Sequence, residues 1–417
     1  MRFAEVIGHE EIKNKLTETV YNNRLSHALL FLGKEGSGAL PMAIAFAQFL
    51  VCEKVQKTNS SNQTVSLFGD IEQEDKILLR DACGVCSACL RAQQLMHPDI
   101  HFSYPTIKKT SKSDEKPISS DFMVQWRDFI KEMPYSNDRD WVNFIKEHSH
   151  DRIDNPTNKQ GNITAEECND ILRKLSLKSF ESGYKILVMW MPEFLGKEGN
   201  KLLKLIEEPP PDTLFLFVAE DESAILPTIL SRTQLVKIPS LTDDEIEEAL
   251  ITKGKVESNK ARQIAGVCAG NYRESLQMLQ NAEEDWQSLL REWLNAIAKN
   301  NTAAQIKWID EIARLGREKQ KQFLRYFIHL LEQAVRVRMI EETTGTKTPF
   351  SNMPEKEKDF AIRLNKLCSL SAHQAIITEL DKATYYIERN AHAKMLFHAL
   401  CIRMFHIIKD NSLILIN

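Results

Sequence analysis

No run of about eighteen apolar residues occurs in this 417-residue chain, which excludes an ordinary membrane-spanning helix. Charge of one sign is scarce as well. The formal net charge of −4 leaves no excess for a large basic nucleic-acid surface, and only a local patch could serve that purpose. The start, Met1-Arg2-Phe3-Ala4-Glu5, lacks the apolar core of a secretory leader, so a soluble cytoplasmic protein is expected. In that compartment the eight cysteines are expected as thiols or metal ligands rather than disulfides. Internal repeats are absent. A chain of this length is expected to form about two to four domains.

The most telling absence lies in residues 33–40, Gly-Lys-Glu-Gly-Ser-Gly-Ala-Leu. A phosphate-binding loop, G-x-x-x-x-G-K-[ST], uses its Lys on the β/γ-phosphates and its hydroxyl on Mg²⁺. Gly33, Gly36 and Gly38 supply the frame, but Ala39 replaces the Lys and Leu40 the hydroxyl. Neither can bear charge or ligate a metal. The surroundings still suit such a loop. Residues 28–32, Ala-Leu-Leu-Phe-Leu, read as a buried parallel strand, and Leu40, Ala43, Ile44, Ala47 and Leu50 recur at helical spacing.

The chain changes character near Pro239. Before it, unbroken apolar runs at 28–32, 186–191 and 214–219 predict strands covered on both faces. After it, nearly everything reads as helix. Thr242-Asp243-Asp244-Glu245 predicts a capped helix start. Phe323, Phe327, Leu330, Leu331, Ala334 and Val337 form one apolar stripe, and Met395, Leu396, Ala399, Ile402 and Phe405 a second. Two stretches read as insertions. Residues 53–76 are polar and loop-like. Residues 103–160 combine a Lys/Ser segment with aromatic pieces around Trp126 and Trp141 and end in a polar run from Asn155.

Cys83, Cys86 and Cys89 follow a Cys-x-x-Cys-x-x-Cys spacing that lets thiolates converge on one metal. A structural zinc site needs a fourth ligand; Cys52 is the better candidate and His97 the poorer. An iron–sulfur cluster is the metal alternative. The flanking Arg80, Asp81 and Arg91 do not make a basic patch, which weighs against a zinc-bearing DNA-binding protein. Cys168, Cys268, Cys368 and Cys401 are dispersed and read as packing residues.

Residues 183–232 are the most specific stretch. Tyr184-Lys185 precedes the apolar run 186–191. Then come Asn200-Lys201-Leu202-Leu203-Lys204-Leu205-Ile206-Glu207-Glu208-Pro209-Pro210 and Leu226-Pro227-Thr228-Ile229-Leu230-Ser231-Arg232. With Ser26-His27-Ala28, the cysteine module and His97-Pro98-Asp99, this resembles the clamp-loader ATPase family over about residues 1–290. The family motif closes on Cys, where this chain has Thr233.

The resemblance implies an AAA+-type α/β domain with a parallel sheet over 1–239, including a zinc module at about 52–97 and an insertion at about 103–160. An all-α lid at 240–290 and an all-α collar at 291–417 would follow. It also implies that the two catalytic carboxylates of the family's acidic motif are here Trp190 and Met191, leaving Glu193 as the remaining acid. Arg232 would be the trans-acting finger that reaches a neighbour's nucleotide, whereas composition alone favours a surface Arg in a salt bridge. Arg273 matches a second sensor Arg and is expected to be structural.

The expectation is therefore a catalytically silent subunit of the bacterial DNA polymerase III clamp loader, binding structural Zn and not hydrolysing ATP. Its partners would be the clamp-loader ATPase subunits and the clamp-opening subunit, and indirectly the sliding clamp and primer-template DNA. The rival within the family is an active ATPase subunit.

Overall fold

Residues 1–60, 79–108, 116–148, 161–181, 183–280, 286–344 and 355–410 are described by a computed structural model. They fall into two compact units, Met1–Lys255 with Ala269–Ser275, and Val256–Cys268 with Leu276–Asn417.

The first unit is built on β1 (Ala28–Gly33), β2 (Ile100–Ser103), β3 (Lys185–Trp190), β4 (Thr213–Ala219) and β5 (Gln234–Ile238). All pairings are parallel and the order is β2-β3-β4-β1-β5. β1 lies between β4 and the edge strand β5, with Leu30 opposite Phe217 on one side and Leu235 on the other. Strand side chains alternate between faces. Leu29, Phe31, Val188, Trp190, Leu216 and Val218 join the core that holds the helix Ala39–Val51. Leu30, Leu187, Met189, Phe215 and Phe217 join a second core with Ile171 and Leu175 of the helix Ala165–Ser176. Both faces are covered, which is why these strands are unbroken apolar runs.

The expected strands at 28–32, 186–191 and 214–219 are all present, although Met191 falls just beyond β3. β2 and β5 were not visible as apolar runs. β2 has four residues, and β5 is an edge strand with Gln234, Leu235 and Lys237 exposed.

The reading of 53–76 as loop fails at its start. Glu53–Ser60 is helical, and Glu53 Oε1 accepts hydrogen bonds from Ser87 Oγ (2.7 Å) and from the Ala88 amide (3.3 Å). A carboxylate at the start of Ser87–Gln93 satisfies its orphan donors. Residues 61–76 lie outside the described residues, as do 109–115 and 149–160 of the second insertion.

The described part of that insertion contributes the helices Met123–Glu132 and Asp138–His148. Trp126 and Trp141 are fully buried, and Tyr104 stacks on Trp126 with ring centroids 4.0 Å apart. Trp126 also packs on Trp190 at 5.4 Å.

Thr242 caps Asp243–Thr252 as expected. Its hydroxyl accepts from the Glu245 amide (3.2 Å), while Glu245 Oε2 accepts from the Thr242 amide (2.8 Å). In the second unit, Trp293 and Trp308 stack at 4.7 Å over Phe323 and Phe327. The stripe Phe323, Phe327, Leu330, Leu331 and Ala334 is fully buried. The second stripe was out of register. Met395 and Ile402 are 72% and 60% exposed, and the buried face of Ala393–Asp410 is Phe397, Leu400, Cys401, Met404 and Ile407. That helix is apolar on more than one face, so periodicity alone does not choose among them. Among the described residues no helix is long and apolar enough to cross a membrane.

Candidate functional site

β1 ends at Gly33, and a glycine turn leads into the helix Ala39–Val51, with Gly38 as its N-cap. Strand, turn and helix are arranged as a phosphate loop would have them. Gly36 and Gly38 take left-handed φ of +71° and +94°. A Cβ on Gly36 would lie 1.9 Å from Asn271 Oδ1, and one on Gly38 would lie 3.0 Å from the Tyr135 ring. The glycines are needed here for close packing within the protein itself. Ala39 and Leu40, at the Lys and hydroxyl positions of the pattern, are buried, as is every other residue of their helix.

The cleft at this turn is small, with only about 20 Å³ that the centre of a water-sized molecule can occupy. Gly33, Gly36 and Gly38 line it with Tyr135, Trp190 and Glu220. Trp190 closes its sheet side and rests on Trp126 and Phe129. Met191 has φ 59° and ψ 58°, an unusual conformation for a long side chain, and its amide donates to the Val218 carbonyl (2.8 Å). Glu193, the one acid left from the resemblance, works on the backbone. Its Oε1 accepts from the amides of Glu220 (2.6 Å) and Asp221 (3.0 Å), tying the end of β3 to the end of β4.

Acidic groups gather about the turn, together with Lys34, which lines the cleft, and Arg273. Burial raises the Glu220 carboxyl well above its ordinary range, and Glu35, Glu193 and Asp138 add to the rise. Burial also raises Asp138, with Glu35 and Asp140 contributing. Arg273 is 4% exposed in its side chain and is bound on two sides. Glu35 Oε1 accepts from its Nη1 (2.7 Å), Asp140 Oδ1 accepts from its Nη2 (2.7 Å), and Nε pairs with Asp140 Oδ2. A polyphosphate brought here would add charge to a poorly solvated neighbourhood that already disfavours negative charge.

Of these, Glu35, Tyr135, Asp138, Asp140 and Glu220 were not found by sequence reasoning. Asp138 and Asp140 stand close after Tyr135 at a helix start, but their distance of more than a hundred residues from the glycine turn hides the meeting.

Arg232 follows the short helix Pro227–Leu230. Its Nη1 donates to the Thr228 carbonyl (2.8 Å) and its Nη2 pairs with Glu207, which is 52% exposed in its side chain. In the chain alone the guanidinium is thus held by the Glu of the Glu-Glu-Pro-Pro turn.

The cysteines converge. Cys52 ends the helix Ala39–Val51, Cys83 lies in the following described segment, and Cys86 caps Ser87–Gln93, which carries Cys89. The four sulfurs lie within 4.8 Å of one another, with Cys83 and Cys89 at 3.9 Å. In a tetrahedral site with Zn–S bonds of about 2.3 Å, sulfurs stand about 3.8 Å apart. The amides of Cys83, Cys86 and Cys89 donate to Sγ of Cys52 (3.3 Å), Cys83 (3.4 Å) and Cys86 (3.4 Å). Such donors stabilise thiolates. The hydrogen bond from Cys89 brings the Cys52 thiol down to about 4. Four soft sulfur donors suit zinc.

His97 is not in this group. Its Nδ1 accepts from the Asp99 amide (3.2 Å), and Asp99 in turn accepts from the amides of Phe180 and Glu181. Cys168, Cys268, Cys368 and Cys401 are all buried.

A five-stranded parallel sheet in this order, with a glycine turn between its first strand in sequence, an interior one, and a buried helix, defines an AAA+-type α/β protein. A family model described as "DNA polymerase III, delta subunit" matches residues 8–79 and 65–242, more than half of the chain, and the chain belongs to that family.

Among its relatives is DNA polymerase III subunit delta' of Bacillus subtilis, 24% identical over 277 residues, which are 66% of this chain and 61% of that protein. Subunit delta' of Haemophilus influenzae is 29% identical over 64% of this chain and 60% of its own length. Subunit tau of B. subtilis is 22% identical over 67% of this chain and 38% of its own length. The chain thus spans about three fifths of the delta' relatives it matches. The clamp-loader resemblance read from the motifs holds.

Proposed function

We propose that this chain is a catalytically silent, delta-prime-like subunit of the DNA polymerase III clamp loader. The observation that carries the reading is the glycine-turn cleft. It has Ala39 and Leu40 where a phosphate loop has its Lys and hydroxyl, and Trp190 and Met191 where the family has its acids. Glu220 lines it, Asp138 and Glu35 act on Glu220 electrostatically, and the buried Arg273 is already bound to carboxylates. Each change removes a different part of ATP chemistry, so no single substitution restores it.

The subunit's contribution to the complex is a fixed body and one guanidinium. Residues 1–239 form the α/β domain, 240–290 a lid and 291–417 a collar through which the subunits join. Arg232 leaves Glu207 and reaches the nucleotide of the adjoining ATPase subunit. Its planar fork suits phosphate oxygens. The partners are the ATPase subunits and the clamp-opening subunit, and through them the sliding clamp and primer-template DNA. The setting is the cytoplasm.

Zinc is held by Cys52, Cys83, Cys86 and Cys89. When bound, it supplies cross-linking rather than catalysis, joining the end of the helix Ala39–Val51 to the module that follows.

Mixing the purified chain with clamp-loader ATPase and clamp-opening subunits should give one complex in size-exclusion chromatography. Failure to co-elute with both would remove the clamp-loader reading. Similarity to subunit tau favours one rival, an active ATPase subunit of the gamma/tau kind, and turnover by the isolated chain separates the two.

A further inference from the structure

Pro134, Tyr135 and Ser136 line the same cleft as Gly33, Gly36 and Gly38, although more than ninety residues separate them in sequence. Three contacts fix this segment. The Ile7 amide donates to Tyr135 Oη (2.8 Å, buried). The Tyr135 ring meets Tyr272 edge to face at 5.0 Å and would touch any Cβ on Gly38. Asp140 pairs with Arg273 through two guanidinium nitrogens. The Tyr272 amide also donates to the Gly36 carbonyl (3.2 Å), so residues 271–273 are drawn onto the turn.

We propose that residues 134–140 are a built-in occupant of the glycine-turn cleft. Tyr135 and Asp140 hold together by protein contacts what a nucleotide would otherwise hold: the backbone at Ile7, the turn 33–38 and Arg273. The inference rests on the silent-subunit reading and deepens it, because the site is then filled as well as stripped of its chemistry.

Tyr135 suits the role physically. It is a flat aromatic group with a polar tip, buried, and its hydroxyl accepts from the Ile7 amide. Asp140 supplies the anionic charge, in fork geometry, that a phosphate would present to Arg273. Burial and neighbouring carboxylates raise Asp138 and Glu220, so this neighbourhood disfavours negative charge and opposes a second anion. The occupant comes from the part of the 103–160 insertion whose role the sequence does not reveal.

The experiment is hydrogen–deuterium exchange on the full chain, comparing the parent with Tyr135→Phe and Asp140→Asn, each with and without millimolar Mg·ATP. Tyr135→Phe keeps the ring and deletes only the hydroxyl that the Ile7 amide needs. Exchange at Ile7 should rise by about tenfold or more, since a buried donor is left without its partner. Asp140→Asn should speed exchange at Tyr272 and Arg273 by about tenfold as well, with β1 and β4 unchanged. Mg·ATP should protect nothing in the parent.

Parent-like exchange in both variants would overturn the proposal. So would protection of 33–40 in the parent by Mg·ATP, because a nucleotide would then enter past the supposed occupant. Such protection without hydrolysis would sink the occupant and leave the silent-subunit reading standing. Failure to assemble with clamp-loader subunits would do the reverse.

Discussion

Arg232→Ala should slow the DNA-stimulated ATPase of a reconstituted clamp loader while leaving the complex assembled. A finger Arg supplied in trans is worth about 10³–10⁵ in rate at the site it serves, so that site should fall nearly silent while the others retain their share. The stability of the subunit itself should change by no more than about 1 kcal/mol, because the Arg232–Glu207 pair is partly exposed to water. The two readouts separate a finger from an ordinary surface ion pair. An ion pair that mattered only to folding would move stability and leave turnover alone. Arg232→Lys should not rescue the rate, since an ammonium cannot match the two-pronged geometry of a guanidinium on phosphate oxygens. Glu207 competes for the guanidinium in the free subunit, so the finger pays for release with one exposed ion pair. An ATPase rate unchanged by Arg232→Ala would remove the finger from the mechanism.

Cys86→Ser should strip the protein of zinc and destabilise the unit that holds it. Structural zinc in small Cys sites contributes about 10–16 kcal/mol of apparent binding energy, which is folding energy where the site does not exist unfolded. Loss of even about 4 kcal/mol of that would lower an unfolding midpoint by about 10 °C. The site ties Cys52, at the end of the fully buried helix that follows the glycine turn, to Cys83, Cys86 and Cys89 around the short helix Ser87–Gln93. Unfolding should therefore respond to metal in the parent and not in the variant. A chelator should lower the parent's midpoint toward that of Cys86→Ser and leave the variant's unchanged. Stoichiometric zinc in Cys86→Ser would show the ligand set to be wrong. A brown protein absorbing in the visible would replace zinc with an iron–sulfur cluster.

The parts of this protein legible in sequence are those whose signal is local. β1, β3 and β4 are continuous apolar runs because both faces of a parallel sheet are covered, and each run was visible. Thr242 and Glu245 announce a helix start within four residues. Cys83, Cys86 and Cys89 announce a cysteine cluster by spacing, and Cys52 joins them from the end of an apolar helix.

What was not legible is what depends on the fold. β5 is an exposed edge strand without an apolar run, and Glu53–Ser60 is a helix written in polar residues. The face of Ala393–Asp410 that turns inward is chosen by its neighbours, because Met395 and Ile402 are as apolar as Leu400 and Met404. At the cleft, the departures from the motifs at Ala39, Leu40, Trp190 and Met191 could be read from the sequence. The residues that fill and charge it could not. Glu35, Glu220 and the segment that carries Tyr135, Asp138 and Asp140 come from three separate stretches, and only the fold brings them together.

ATP hydrolysis by the purified chain alone, with and without Mg²⁺, tests the silent-subunit reading most directly. Turnover indistinguishable from background is expected, both for the parent and for Gly38→Val. A Mg²⁺-dependent rate in the parent that Gly38→Val abolishes would place working nucleotide chemistry at the glycine turn and contradict the silent subunit.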